Sequence, residues 1–209
     1  MKKLLIVLGV LAAVVLIFIL AAAGSYNGLV KLSQGTDSTR AQVQNNYQRR
    51  NDLIPNLVST VSGAANFEKS TLTAVTDARA SVGKVQINAA TAPTDPQKLA
   101  EFQRAQDQLG SALSRLLVVS ENYPQLRATA NFRDLQAQLE GTENRIAVAR
   151  KDFNDAVQSY DTAVKSFPAV LYAGFFGFKE KPYFAATAGS ETPPKVDFNF
   201  GGTPPATNH

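Results

Sequence analysis

The chain has 209 residues, no cysteine, no tryptophan and a single histidine, with 21 Lys and Arg against 17 Asp and Glu for a formal net charge of +4. Without cysteine, disulfides, thiolate chemistry and Cys-held zinc or iron–sulfur sites are excluded. His209 is the last residue of a Pro/Gly-rich tail, a poor place for a histidine-dependent active site.

Met1-Lys2-Lys3 precedes Leu4 to Ala23, a run with neither charge nor proline, and about 20 helical residues suffice to cross a bilayer core. Residues 1–24 are therefore expected to form a transmembrane anchor, with the lysines on the cytoplasmic side and the bulk of the chain beyond Gly24 on the far side. A cleaved signal peptide is the rival reading, because Ala21-Ala22-Ala23 offers the small residues a signal peptidase needs; typical signal h-regions of about 7–15 residues are shorter than this run. No cysteine lies near the boundary, so a lipoprotein is excluded. Without Lys2 and Lys3, 19 basic groups face 17 acidic ones, which is no electrostatic footprint for nucleic acid.

Ser33-Gln34-Gly35-Thr36-Asp37-Ser38-Thr39 has no apolar face, and the anchor helix is expected to pass through it only as an exposed stalk. Val43, Tyr47, Ile54, Leu57, Val58, Val61 and Ala65 then keep a helical rhythm straight through Pro55. An interior proline loses a backbone hydrogen bond and crowds the preceding turn, so the helix either kinks there, the favoured reading, or restarts. Leu72, Val75, Val82 and Val85 predict a second helix after a turn near Asn66-Phe67, and 88–94 reads as a loop.

Asp95-Pro96 is an N-cap followed by proline at the first helical position. Leu99, Phe102, Leu109, Leu113, Leu116 and Tyr123 follow at helical spacing, with Gln106 and Ser120 in the missing seam positions, and the helix is expected to stop near Tyr123-Pro124. The strongest pattern is Phe132, Leu139, Ile146, Phe153, Tyr160 and Phe167, spaced by seven, interleaved with Leu135, Thr142, Ala149, Ala156 and Ala163. This predicts a long helix over about 129–167 with a coiled-coil-like seam whose small residues admit a close neighbour.

The exit from that helix, 167–184, is aromatic. Phe175, Phe176, Phe178, Lys179, Lys181, Tyr183 and Phe184 are candidate membrane contacts, with rings at headgroup depth beside cations; the alternative is that they cap the open end of the bundle. Residues 185–209 read as a disordered Pro/Gly-rich tail. The fold class is all-α: the anchor, an antiparallel bundle of about four long helices over 25–184, and the tail.

Gln44-Asn45-Asn46-Tyr47-Gln48-Arg49-Arg50-Asn51-Asp52-Leu53-Ile54-Pro55-Asn56-Leu57-Val58 resembles the hallmark segment of the LemA family. Ala78-Arg79, Glu121-Asn122-Tyr123-Pro124-Gln125-Leu126, Gly141-Thr142-Glu143-Asn144-Arg145-Ile146-Ala147, Tyr160, Phe167-Pro168 and Phe176-Gly177-Phe178 are similar to its later blocks, in order. The resemblance implies a bacterial membrane-anchored helical bundle with its bulk outside the cytoplasm, no catalytic residues and no agreed activity. The polar 35–39 stretch and the Pro-rich tail depart from the family pattern.

Sites for chemistry are weak. Ser81-Val82-Gly83-Lys84 fits the Ser-x-x-Lys pattern of some acyl-enzymes without its companion motifs. Glu140 with Glu143, and Asp152 with Asp155, share helix faces, but di-metal bundles also need a histidine three residues after a glutamate, which is missing here. Arg49, Arg50, Asp52, Glu143 and Arg145 lie beside seams and form either an inter-helix ion-pair network or a groove for a partner protein. The sequence thus favours a non-enzymatic scaffold or adaptor contacting envelope proteins or lipids, with no cofactor, nucleic acid or small-molecule substrate evident. A lipid-surface module using 167–184 is one alternative, and a carboxylate/Arg hydrolase or metal enzyme another.

Overall fold

The computed structural model describes residues 2–64, 66–85 and 95–185. Among these residues five helices follow in order, α1 (Lys2–Ser62), α2 (Lys69–Lys84), α3 (Pro96–Ser120), the one-turn α4 (Pro124–Arg127) and α5 (Ala130–Lys165), then a 3-10 turn at Ala169–Leu171. No strand occurs among the described residues, and the architecture is all-α as the periodicity requires. Ala65, the 88–94 loop and all of the expected tail beyond Ala185 lie outside the described residues.

Direction alternates along the bundle. Arg50 of α1 meets Glu143 of α5, while Lys181, beyond α5, meets Ser33, so these two long helices run antiparallel. Tyr47 packs on Phe102 near the start of α3, and Leu57 and Val61 share a core with Leu113 and Leu116 near its end, which makes α1 and α3 parallel. α2 returns between them through a turn in which Asn66 takes φ 61°.

The buried positions of α1 explain how one 61-residue helix joins an apolar segment long enough to cross a membrane to the bundle. Leu29, Thr36, Val43, Arg50 and Leu57 fall every seven residues, and Arg40, Tyr47, Ile54 and Val61 form the second seam row. This heptad passes through the polar stretch without a break, and Thr36 is only 1% exposed. The expected exposed stalk is therefore wrong: the polar side chains there face a polar partner, described below.

α1 also continues as helix through Pro55 rather than restarting. Proline has no N–H to give to the carbonyl four residues back, and that carbonyl, Asn51 O, instead accepts from Arg79 Nε of α2 at 3.4 Å. An arginine on the neighbouring helix thus supplies the donor that the proline removes.

α3 starts as its sequence requires, with the Asp95 carboxylate accepting from the backbone N–H groups of Gln97 and Lys98. Gln106 and Ser120 are buried in its seam. α5 buries Phe132, Leu139, Ile146, Phe153 and Tyr160 along one row and Leu135, Thr142 and Ala149 along the other. The second row then shifts to Val157, leaving Ala156 and Ala163 half-buried, because an α-helix drifts by about 20° per heptad against a seven-residue repeat. Phe167 is off the stripe: α5 ends at Lys165 and the ring is exposed.

Among the described residues a small apolar cluster of Leu29, Ala169 and Ala173 sits at the foot of the bundle, and two larger ones lie above it. The larger, far from the anchor, joins Ile54, Leu57 and Val61 with Val75, Leu109, Leu113, Leu116, Phe132 and Leu139. The nearer one joins Val43, Tyr47, Leu99, Phe102, Ile146, Phe153, Val157 and Phe184.

Candidate functional site

Between the two clusters lies a buried cation. The heptad of α1 places Arg50 on the seam at 3% exposure, where desolvation makes partners obligatory. Nη1 donates to Glu143 Oε1 at 2.8 Å; Nη2 donates to the Gln106 carbonyl at 3.0 Å and to the Gln106 side-chain oxygen. The guanidinium lies 5.1 Å from the Tyr47 ring centroid, within cation–π range. Burial pushes the Tyr47 hydroxyl above its ordinary value, with Arg150 and Arg50 pulling the other way. One residue from each of α1, α3 and α5 is thereby locked in register.

Below the start of α3 at Pro96 only α1 and α5 continue, and a pair of helices cannot enclose a core alone. The segment after α5 supplies the missing layer. Lys181 Nζ donates to Ser33 O at 3.2 Å, Ser33 Oγ at 3.1 Å and Thr36 Oγ1, and it lies 3.5 Å from Asp37 Oδ1 and 4.9 Å from the centre of the Tyr160 ring. Its backbone N–H donates to the buried Asp161 carboxylate at 3.0 Å. Desolvation holds the Lys181 ammonium below its ordinary value, opposed by Asp37. The strap is gripped again further on. Asn154 takes both the N–H and the C=O of Phe184, and Gln103 takes both of Ala185, whose carbonyl also accepts from Arg150. Phe184 is buried against Phe153 with the Arg150 guanidinium 5.3 Å from its ring centroid.

At the foot of the bundle the chain folds back onto α1. Tyr172 Oη donates to the Ala22 carbonyl at 3.3 Å, and Tyr26 makes edge contacts with Phe176 and Phe178. Gly177 turns the chain with φ +80°, a conformation costly for other residues. Phe175 is 90% and Phe176 56% exposed, with Phe167, Val170 and Leu171 also open. A cavity of about 420 Å³ lies between Phe18, Ala22, Tyr26, Tyr172 and Phe176. α1 is long and apolar enough in its first part to cross a membrane, so these rings gather at the end of the anchor.

A family model described as the LemA family matches residues 39–198. The chain belongs to the LemA family. It is 27% identical over 204 residues to magnetosome protein MamQ 2 of Paramagnetospirillum magneticum, covering 90% of this chain and 74% of the relative. It is 25% identical over 195 residues to magnetosome protein MamQ of Magnetospirillum gryphiswaldense, covering 84% and 70%. Protein LemA of Metamycoplasma hominis is 21% identical over 151 residues, covering 72% and 64%.

The fold of this LemA-family chain sorts the residues singled out from sequence. Arg50 and Glu143 meet, whereas Arg49 and Arg145 are exposed and apart from the network. Asp52 accepts a hydrogen bond from Gln48 on its own helix. Of the aromatic exit, Phe175, Phe176, Lys179 and Tyr183 are exposed, Phe178 is half-buried, and Phe184 and Lys181 are folded inward. Those last two cannot reach a lipid surface without unmaking the strap. Asp155 pairs with Lys151 at 2.6 Å, and among the described residues no three His, Asp or Glu side chains converge as metal ligands. Sequence reading missed Gln103, Asn154, Arg150, Asp161 and Thr36. Of these only Thr36 carried a usable signal, its place in the sevenfold series with Leu29, Val43, Arg50 and Leu57.

Proposed function

We propose that this protein is a non-catalytic, membrane-anchored scaffold or adaptor that holds a rigid helical bundle on the outer side of a bacterial cytoplasmic membrane, where it contacts envelope proteins or lipids. The carrying observation is the continuity of α1, whose heptad runs from the end of the apolar segment into the bundle core. Motion of the anchor is thereby transmitted to the whole bundle, as a scaffold requires. Lys2 and Lys3 support the orientation, since basic residues flanking a span favour the cytoplasmic side. The non-catalytic reading is supported by the use of the buried Arg50 and Asp161 and the half-buried Lys181 in joining elements to one another, and by relatives whose names are not those of enzymes.

Within that reading, the turn bearing Phe175 and Phe176 seats in the headgroup layer and fixes the tilt of the bundle, because the Tyr172–Ala22 bond ties the turn to the end of the span. The chain has no tryptophan, so Phe175→Trp introduces a single indole that can be excited apart from the tyrosines. In bilayers its fluorescence should be blue-shifted and quenched by brominated lipids. Emission typical of water, indifferent to those lipids, would remove the lipid contact. Crosslinking in intact cells with identification of the attached proteins tests the adaptor role, and recovery of no envelope protein would count against it.

A further inference from the structure

The end of the bundle farthest from the anchor holds a cleft of about 720 Å³ between the last turn of α1 and the α3–α4–α5 corner. Two cavities of about 520 Å³ on the sides of the bundle, one along α5 and one between α1, α3 and α5, both include Glu143 and Arg150, while the cavity beside Tyr26 and Tyr172 carries no charge. No carboxylate, lysine or arginine lines the distal cleft among the described residues, and it sets three side-chain amides beside its aromatic ring where the cavity at Tyr26 has one, Asn27. Its walls carry the side-chain amides of Asn122, Gln125 and Asn131 and the hydroxyl of Ser59, with the Tyr123 ring beside them.

The ring is positioned firmly, its hydroxyl donating to the Asn66 carbonyl at 2.9 Å and one side packed on Phe67 at 4.8 Å between centroids. The three amides, in contrast, form no hydrogen bond within the described protein. Each carries two donors and an acceptor. Gly63 and Ala64 keep the opposing wall low, with only backbone oxygens near the place a Cβ on Gly63 would occupy.

We propose that this cleft is a binding site for an uncharged oligosaccharide. A sugar hydroxyl both donates and accepts, which a mixture of amides and hydroxyls answers in either sense, and the apolar face of a sugar ring suits an aromatic wall. A charged ligand would find no counter-charge in the lining. Side-chain amides also take the paired N–H and C=O of a peptide, as Asn154 and Gln103 do in the strap, so a peptide is the competing occupant in the test. At 1.5 Å per residue, Ser59 stands about 55 Å along α1 from the end of the apolar segment, so the cleft meets material well away from the bilayer. This assignment is independent of the aromatic turn.

The test uses the full chain in lipid nanodiscs, with chitotetraose and maltotetraose as neutral probes and capped tetraglycine as the peptide control, read by saturation-transfer NMR and titration. At least one oligosaccharide should bind. Asn122→Ala/Gln125→Ala should weaken that binding about tenfold or more with no change in unfolding temperature, both side chains being exposed. Asn131→Ala, on the opposite side of the corner, should weaken it independently. Binding of neither sugar overturns the proposal, as do affinities that the variants leave unchanged or that capped tetraglycine equals.

Discussion

The two ends of the bundle are held together by different means. Away from the anchor all the helices contribute to one apolar cluster around Leu57, Leu109, Leu116 and Phe132. Towards the anchor α3 ends at Pro96 and only α1 and α5 continue, and a strap of extended chain takes the place of the missing helices, fastened by Lys181, Asp161 and Asn154 and, at the foot of α3, by Gln103. The difference teaches where apolar burial suffices: four helices enclose a dry core, while two need a third layer, and a segment without its own backbone pairing must satisfy its N–H and C=O groups with side chains. The distal half is accordingly the stable unit, and the strap is expected to open first.

The comparison breaks most severely if the distal core is not the main source of stability. Phe132→Ala, at a side chain with no exposure, should cost about 3–5 kcal/mol and lower the cooperative unfolding of the whole bundle, measured by denaturant titration in detergent. Next in size is Arg50→Glu, which sets a buried carboxylate against Glu143 and should cost about 3 kcal/mol or more. Adding Glu143→Arg should recover part of that loss, and a double variant no more stable than the worse single one would mean that the two charges are not coupled.

Lys181→Met acts on the strap alone. It should cost about 1–2 kcal/mol and speed hydrogen exchange over 178–185, with the amides around Leu109 and Phe132 unaffected. A uniform loss of protection would erase the distinction between the two ends. The smallest effect is one of pH. The Tyr47 hydroxyl titrates above its ordinary value of 10.0 when folded, so the unfolded chain loses this proton first. Its contribution is fully present below about pH 10 and is lost as pH rises through the folded value. Tyr47→Phe should therefore leave stability near neutral pH almost unchanged and flatten its fall above pH 10.

Much of the bundle was legible in the sequence because burial leaves a periodic trace. The seven-residue row from Phe132 to Tyr160, the Asp95-Pro96 helix start and the seam roles of Gln106 and Ser120 all follow from spacing and capping chemistry. The polar stretch 33–39 misled, since a hydrophilic run looks exposed unless its partner is known, and that partner lies 145 residues away from Thr36. Pro55 presented the same difficulty. Its tolerance depends on Arg79 reaching Asn51 O, which no local rule reveals. The candidate ion-pair residues divided for a similar reason, because spacing put five charges near seams and only packing selected Arg50 and Glu143 to meet.

Local spacing alone sets out the helices, the apolar first segment and most of the apolar side chains that face inward, because hydrophobic periodicity and chain stiffness act over a few residues at a time. Only the tertiary structure decided that Lys181 and Phe184 close the bundle while Phe175 stays open at the end of the anchor. It alone also gathered Ser59, Asn122 and Asn131 around one cleft. Those outcomes depend on contacts between residues tens to more than a hundred positions apart, and their energies belong to the packed arrangement rather than to any segment.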